Sequence, residues 1–174
     1  MTKASSTPRF DYHEALCRAD AVLSDPPAKG ATHRPELLPT RVFRAALPSE
    51  LCLAMNRWKR TSRFSESALK ENIWSFLEPQ ALRWRQKLGH LWPFDEMFED
   101  RPQVIAIKFS SHAPDVGANF GKMAIDMLTR PTLKRPHHRI GIIVDDRPTR
   151  VDQLHWWEFI PQKYAAFVII EVRV

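Results

Sequence analysis

Between Phe10 and Leu23 apolar side chains return at helical spacing, with Tyr12, Leu16, Ala19 and Leu23 on one face, which predicts a short amphipathic helix. The pattern then breaks. Ser24-Asp25-Pro26-Pro27-Ala28-Lys29-Gly30, followed by Pro35 and Pro39, reads as a linker or an extended wrapping segment, because proline fixes φ and removes a backbone donor. Arg41 to Leu47 is apolar enough for a strand that Pro48-Ser49 ends. Ser65 is placed to cap a helix with Leu69, Ile73, Phe76 and Leu77 on its inner side. Pro79 interrupts or restarts it, and Gln80 to Leu88 forms a second segment ending at Gly89. Val104 to Phe109 is a clear strand. Asn119 to Thr129 predicts a helix that buries Met123, Ile125 or Met127, and Leu128, and that Pro131 terminates. Ile140 to Val144 predicts a buried strand delivering Asp145 and Asp146, Thr149 to Glu158 a further extended segment, and Phe167 to Val174 the last strand.

The order β-α-β-α-β-β specifies an α/β or α+β domain built on a single mixed sheet with helices packed on it. Its start is set near Arg41, so residues 1–40 form an N-terminal helix and Pro-rich arm and residues 41–174 the domain proper. The arm either binds a protein partner or lays its helix on its own domain. Trp74, Trp84 and Trp92 read as core or helix-packing residues, and of Trp156-Trp157 strand alternation exposes one ring and buries the other.

Composition narrows the class. The chain has 174 residues, 44% of them apolar, so it can build one core, and no apolar run is long enough to span a bilayer. The opening Met-Thr-Lys-Ala-Ser-Ser-Thr-Pro-Arg lacks an apolar secretory segment, which points to the cytoplasm. Cys17 and Cys52 are too few for a disulfide scaffold and too far apart for a metal clip. Lys and Arg number 26 against 20 Asp and Glu, giving a formal charge of +6. The excess gathers in Arg57-Trp58-Lys59-Arg60 with Arg63, in Arg83-Trp84-Arg85 with Lys87, and between Arg130 and Arg139, where Lys134, Arg135, His137 and His138 lie. Each cluster alone is a solvated face. Three of them beside acidic residues favour nucleic acid, since Lys and Arg supply most affinity for phosphates.

The acids of chemical interest fall between Pro114 and Asp146, in Pro114-Asp115-Val116-Gly117-Ala118-Asn119-Phe120-Gly121-Lys122, then at Asp126 and at Asp145-Asp146. Acids, an amide and a lysine around the start of a short helix suit a divalent cation held against a phosphate. Asp115, Asp145 and Asp146 are hard oxygen ligands of the kind Mg²⁺ accepts, and Lys122 is suited to stabilise charge on a phosphoryl oxygen. Asp126 lies one helical turn past Lys122, so an intrahelical pair that positions the lysine is the alternative to a direct metal role. His112 is a weaker ligand candidate, because Mg²⁺ prefers oxygen to imidazole.

Asn119-x-x-Lys122-x-x-x-Asp126-x-Leu128-Thr129, followed by Val144-Asp145-Asp146, resembles the RusA-type Holliday junction resolvases. Leu47-Pro48-Ser49 leading to Asn56-Arg57-Trp58 is similar to that family's first strand and the segment after it, so the resemblance spans roughly Arg41 to Val174. It implies a RusA-like fold, a homodimer, and a Mg²⁺-dependent endodeoxyribonuclease, with Mn²⁺ as a substitute, that resolves Holliday junctions or other branched DNA in recombination and repair. Asp115 and Asp146 are then the principal ligands with Asp145 a neighbouring acid, and Lys122 faces the scissile phosphate. The implied DNA contacts are Asn56, Arg57, Lys59, Arg60, Arg63, Asn119, Lys134, Arg135 and Arg139. One position departs from the pattern: the family has Asp immediately before Asn, and this chain has Ala118. A catalytically weakened relative that binds branched DNA or a protein partner without cleaving is therefore the alternative function.

Overall fold

A computed structural model of the chain describes residues 10–25, 42–53, 63–87, 101–114, 119–131 and 139–173. The elements are α1 (Tyr12–Ser24), β1 (Val42–Pro48) with a 3₁₀ turn at Ser49–Leu51, α2 (Arg63–Lys87), β2 (Gln103–Ser110), α3 (Lys122–Met127), β3 (Asp152–Phe159) and β4 (Phe167–Arg173). The four strands form one mixed sheet in the order β1-β4-β2-β3, with β4 antiparallel to both neighbours and β2 parallel to β3. The class is α+β. No described helix is long and apolar enough to cross a membrane.

Strand alternation divides the core in two. Phe43, Ala45 and Leu47 of β1, Val104 and Ala106 of β2, and Val168, Ile170 and Val172 of β4 face one side, where Ile73, Leu77 and Ala81 of α2 and most of α3 pack on them. The other face carries Ala46, Ile105, Ile107, Phe109, Phe167 and Ile169, covered by Ala15 and Ala19 of α1. The N-terminal helix thus packs on the sheet. Asp11 caps it by accepting from the His13 and Glu14 amides at 2.9 and 3.2 Å. Arg44 ties it down further, reaching Asp20 of α1 at 2.5 Å.

α2 guards the outer edge of β1 as well as its face. Gln80, 5% exposed, accepts from the Ala46 amide at 2.8 Å and donates to the Ala46 carbonyl at 2.9 Å, imitating a neighbouring strand. Trp84 Nε1 donates to the Val42 carbonyl at 2.8 Å. These contacts fall just after Pro79 and help to explain a first correction: α2 runs unbroken from Arg63 to Lys87 with Pro79 inside it. A proline removes one helical hydrogen bond, and packing at Ile73 and Leu77 before it and at Gln80, Ala81 and Trp84 after it holds the helix across the gap.

A second correction concerns residues 140–144, which do not join the sheet. Ile140, Ile142 and Ile143 are buried, but their amides turn to the end of α3: Ile140 to the Met127 carbonyl at 2.8 Å, and Ile142 and Ile143 to the Leu128 carbonyl at 2.7 and 3.0 Å. Gly141 sits at φ +72°, a left-handed conformation that breaks any extended run, and only an isolated bridge joins Thr129 to Ile143. The third strand in chain order is instead Asp152–Phe159, within which most of the extended segment expected from Thr149 falls. α3 is also shorter than expected, beginning at Lys122, so that Asn119 precedes it.

Candidate active site

The site is built where α3 meets the sheet. Gly121 takes φ +79° and introduces α3; a Cβ there would stand 3.1 Å from Ile170 Cδ1, so the left-handed backbone and the tight approach to β4 both favour glycine. Lys122 follows on the first turn, and Asp126 lies on the same helical face one turn later. From the end of α3 the chain folds back through the buried isoleucines, whose backbone bonds to residues 127–129 bring Asp146 beside the lysine. Lys122 Nζ donates to both Asp126 and Asp146. All three side chains are only about a quarter exposed, at 21, 26 and 25%.

Two carboxylates around one ammonium in a partly desolvated spot cannot ionise independently. Burial pushes the Asp126 carboxyl up, and its hydrogen bond to Asp146 adds to this, bringing it to about 6. Burial also opposes ionisation of Asp146, yet hydrogen bonds from Asp126 and Lys122 outweigh it and hold this carboxyl at about 2. Burial opposes the lysine charge too, but the two carboxylates overcome that and raise it above its ordinary value. The cluster therefore holds one ammonium, one firm carboxylate, and one carboxyl that gives up its proton near pH 6.

Lys122 and Asp146 open onto a groove of about 780 Å³ lined also by Arg101, Gln103, Arg147 and Gln153 among others. The arginines stand at its rim, each facing an acid: Arg101 reaches Asp152 at 2.7 Å, and Arg147 Nε donates to Asp145 Oδ2 at 2.6 Å. Asp145 is thus turned to Arg147, while Asp146 alone of the acidic pair meets Lys122. On the sheet side, His155 has its pKa lowered, chiefly by burial, which favours the neutral imidazole.

Of the predicted site residues, the structure brings Lys122 and Asp146 together. Asp126 is both the expected partner of Lys122 and a neighbour of Asp146. That second contact crosses 20 residues of chain, and no helical spacing could have revealed it. Asn119 has a buried Oδ1 with no partner among the described residues, and His112 interacts only with Ser110 and Ser111 there. Arg139 donates to Thr129 Oγ1, and Arg63 begins α2. Asp115, Asn56, Arg57, Lys59, Arg60, Lys134 and Arg135 lie outside the described residues, as do Ala118, Trp92, His137 and His138.

The Arg83–Lys87 cluster is largely structural. Arg85 donates to the carbonyls of Ile140 and Gly141 at 2.5 and 3.1 Å, Arg83 meets His13 at 2.6 Å, and Trp84 packs on the core. Cys52 is buried, which pushes its thiol up to about 12 and leaves it unreactive, and Cys17 is exposed. Neither a protein-family model nor a curated protein matches the chain.

Proposed function

We propose that this protein is a RusA-type, Mg²⁺-dependent endonuclease acting on Holliday junctions or other branched DNA. The observation that carries the reading is the convergence of Asp126 and Asp146 on the single positive charge of Lys122, with Lys122 and Asp146 lining an open groove. Among the described residues no group of three potential ligands is assembled, so the fit must be judged from the donors present. Two carboxylates whose oxygens already meet at one cation suit a hard divalent ion, with Asp115 as the third acid. Such an ion, when bound, would make its water a stronger acid than bulk water and set positive charge against the phosphoryl oxygens.

The chain's own residues do the rest. Asp146 is ionised throughout the neutral range and Asp126 above about pH 6. Lys122 keeps its proton and donates to a phosphoryl oxygen once the acids are otherwise engaged. Arg101 and Arg147 at the groove rim supply the strand with positive charge. Homodimerisation belongs to the proposal, and the edge of β3 supports it. Asp152 N donates to Pro102 O at 3.1 Å and Ile160 N to Ser110 O at 3.2 Å. Even-numbered residues therefore carry the ladder to β2. Gln153, His155, Trp157 and Phe159 turn their backbone groups outward, where no described segment pairs with them.

Ala118 favours the second reading, a relative that binds branched DNA without cutting it. One experiment separates them: a labelled mobile four-way junction incubated with Mg²⁺, Mn²⁺ or EDTA, using the wild type and Lys122→Ala. The endonuclease reading requires metal-dependent nicking that the variant loses. Binding without nicking selects the alternative, and absence of binding defeats both.

A further inference from the structure

The positions that face α3 and the Ile140–Ile143 layer are apolar on three strands of the sheet: Phe43, Ala45 and Leu47 on β1, Val104 and Ala106 on β2, Val168, Ile170 and Val172 on β4. On β3 they are Gln153, His155 and Trp157, each half-buried. Each directs a polar atom at the backbone of a different segment of the candidate site. Gln153 Nε2 donates to the Asp146 carbonyl at 3.0 Å. His155 packs edge-on against Phe120 with ring centroids 5.4 Å apart, and its ring hydrogen-bonds the Phe120 backbone. Trp157 Nε1 donates to both the carbonyl and the hydroxyl oxygen of Ser110 at 3.1 Å, and that hydroxyl donates to the His112 carbonyl at 2.7 Å.

One strand thus grips the turn carrying Asp146, the residues leading into Lys122, and the start of the segment that runs toward Asp115. The three grips stand at alternate positions, about 6.7 Å apart along the strand. Packing alone does not account for this choice. His155 Nε2 is buried without a partner among the described residues, a cost that phenylalanine at the same place would avoid.

We infer that Gln153, His155 and Trp157 are positioning residues through which β3 sets the relative placement of the three segments of the site, His155 holding the approach to Lys122. The inference deepens the nuclease reading and rests on it for its consequence in catalysis, while its structural content stands apart from any activity. Catalytic groups on loops need a rigid element behind them, since a misplacement of about 1 Å is enough to cost about 100-fold in rate.

The test uses the full chain with Gln153→Leu, His155→Phe, His155→Gln and Trp157→Phe, followed by amide hydrogen exchange read by mass spectrometry and by junction cleavage. Each of the three disruptive variants accelerates exchange about tenfold in its own segment, 145–147, 119–122 or 110–114, and leaves β4 protected. His155→Phe lowers kcat about 100-fold with KM for the junction little changed, and His155→Gln, which keeps a donor for the Phe120 carbonyl, restores it. If the wild type shows no cleavage but the three exchange responses map as stated, the nuclease reading falls and the placement role of β3 stands. Exchange that changes everywhere at once or nowhere, or cleavage by His155→Phe equal to wild type, overturns the inference.

Discussion

Replacing Asp126 with asparagine removes the one carboxyl in the Lys122 cluster that resists ionisation, while keeping an amide able to accept from Lys122 and donate to Asp146. In the unfolded chain an aspartate ionises at 3.8, and in the folded protein Asp126 holds its proton to about 6. The sign follows from which state keeps the proton. Between these values the unfolded chain has released it and the folded protein has not, so stability falls as pH rises through the window. The loss is complete above about pH 6 and amounts to about 3 kcal/mol. Asp146 runs the other way: held at about 2, it stabilises the fold above pH 3.8, and that contribution disappears as pH falls through its folded value. Asp126→Asn should abolish the first effect and spare the second. Its stability relative to wild type should therefore climb by up to about 3 kcal/mol between about pH 4 and about pH 7. Urea unfolding in the presence of a chelator would register this as a midpoint difference that widens by about 1–2 M. Parallel pH profiles for the two proteins would refute the shared-proton account of the cluster.

Three further outcomes follow from the same geometry. Gln80→Leu strips the Ala46 amide and carbonyl of their mock strand and should cost about 2–3 kcal/mol in urea unfolding, with an unchanged midpoint counting against the edge-capping role. Arg85→Ala should destabilise by about 2–3 kcal/mol through the orphaned Ile140 and Gly141 carbonyls. If the protein binds DNA as proposed, the salt dependence of that binding should not change in this variant, and a shallower slope would return Arg85 to the proposed nucleic-acid surface. Gly121→Ala should cost about 1–2 kcal/mol, because the left-handed φ and the approach to Ile170 both penalise a Cβ, and a thermal midpoint equal to wild type would contradict this.

What could be read from the sequence were the elements whose pattern is local. The amphipathic face of α1, the strands at Val42–Pro48, Gln103–Ser110 and Phe167–Arg173, and the helical stripe through Ile73 and Leu77 all announce themselves by period. The failures share one cause, which is that tertiary contacts decided between locally equivalent states. Ile140 to Val144 has the composition of a buried strand and is buried, but its amides find their acceptors at the end of α3 and not in the sheet. Pro79 carries a strong local signal for a break, and packing on both of its sides overrides it. The half-polar run from Asp152 to Phe159 gave a weaker strand signal because it lies at the sheet edge, with polar side chains committed to loops that sequence spacing cannot place beside it.

The candidate site divides along the same line. Lys122 and Asp126 are neighbours by helical spacing, so their pairing was written in the chain. The meeting of Asp126 with Asp146 depends on the return path through Ile140, Ile142 and Ile143, which no motif encodes by itself. That path changes how the missing acid at Ala118 bears on the proposed chemistry. A carboxylate at position 118, immediately before Asn119, would add a ligand from the sequence ahead of α3. On the proposed reading Asp126 would instead add one from the helix, where its neighbours Ile125 and Met127 are buried. A ligand on a rigid helix loses less freedom on binding a cation than one on a loop. That advantage is offset here by the proton Asp126 keeps to about pH 6, so if the cluster binds a divalent cation as proposed, a Mg²⁺ titration should show that binding strengthen as pH rises through that value.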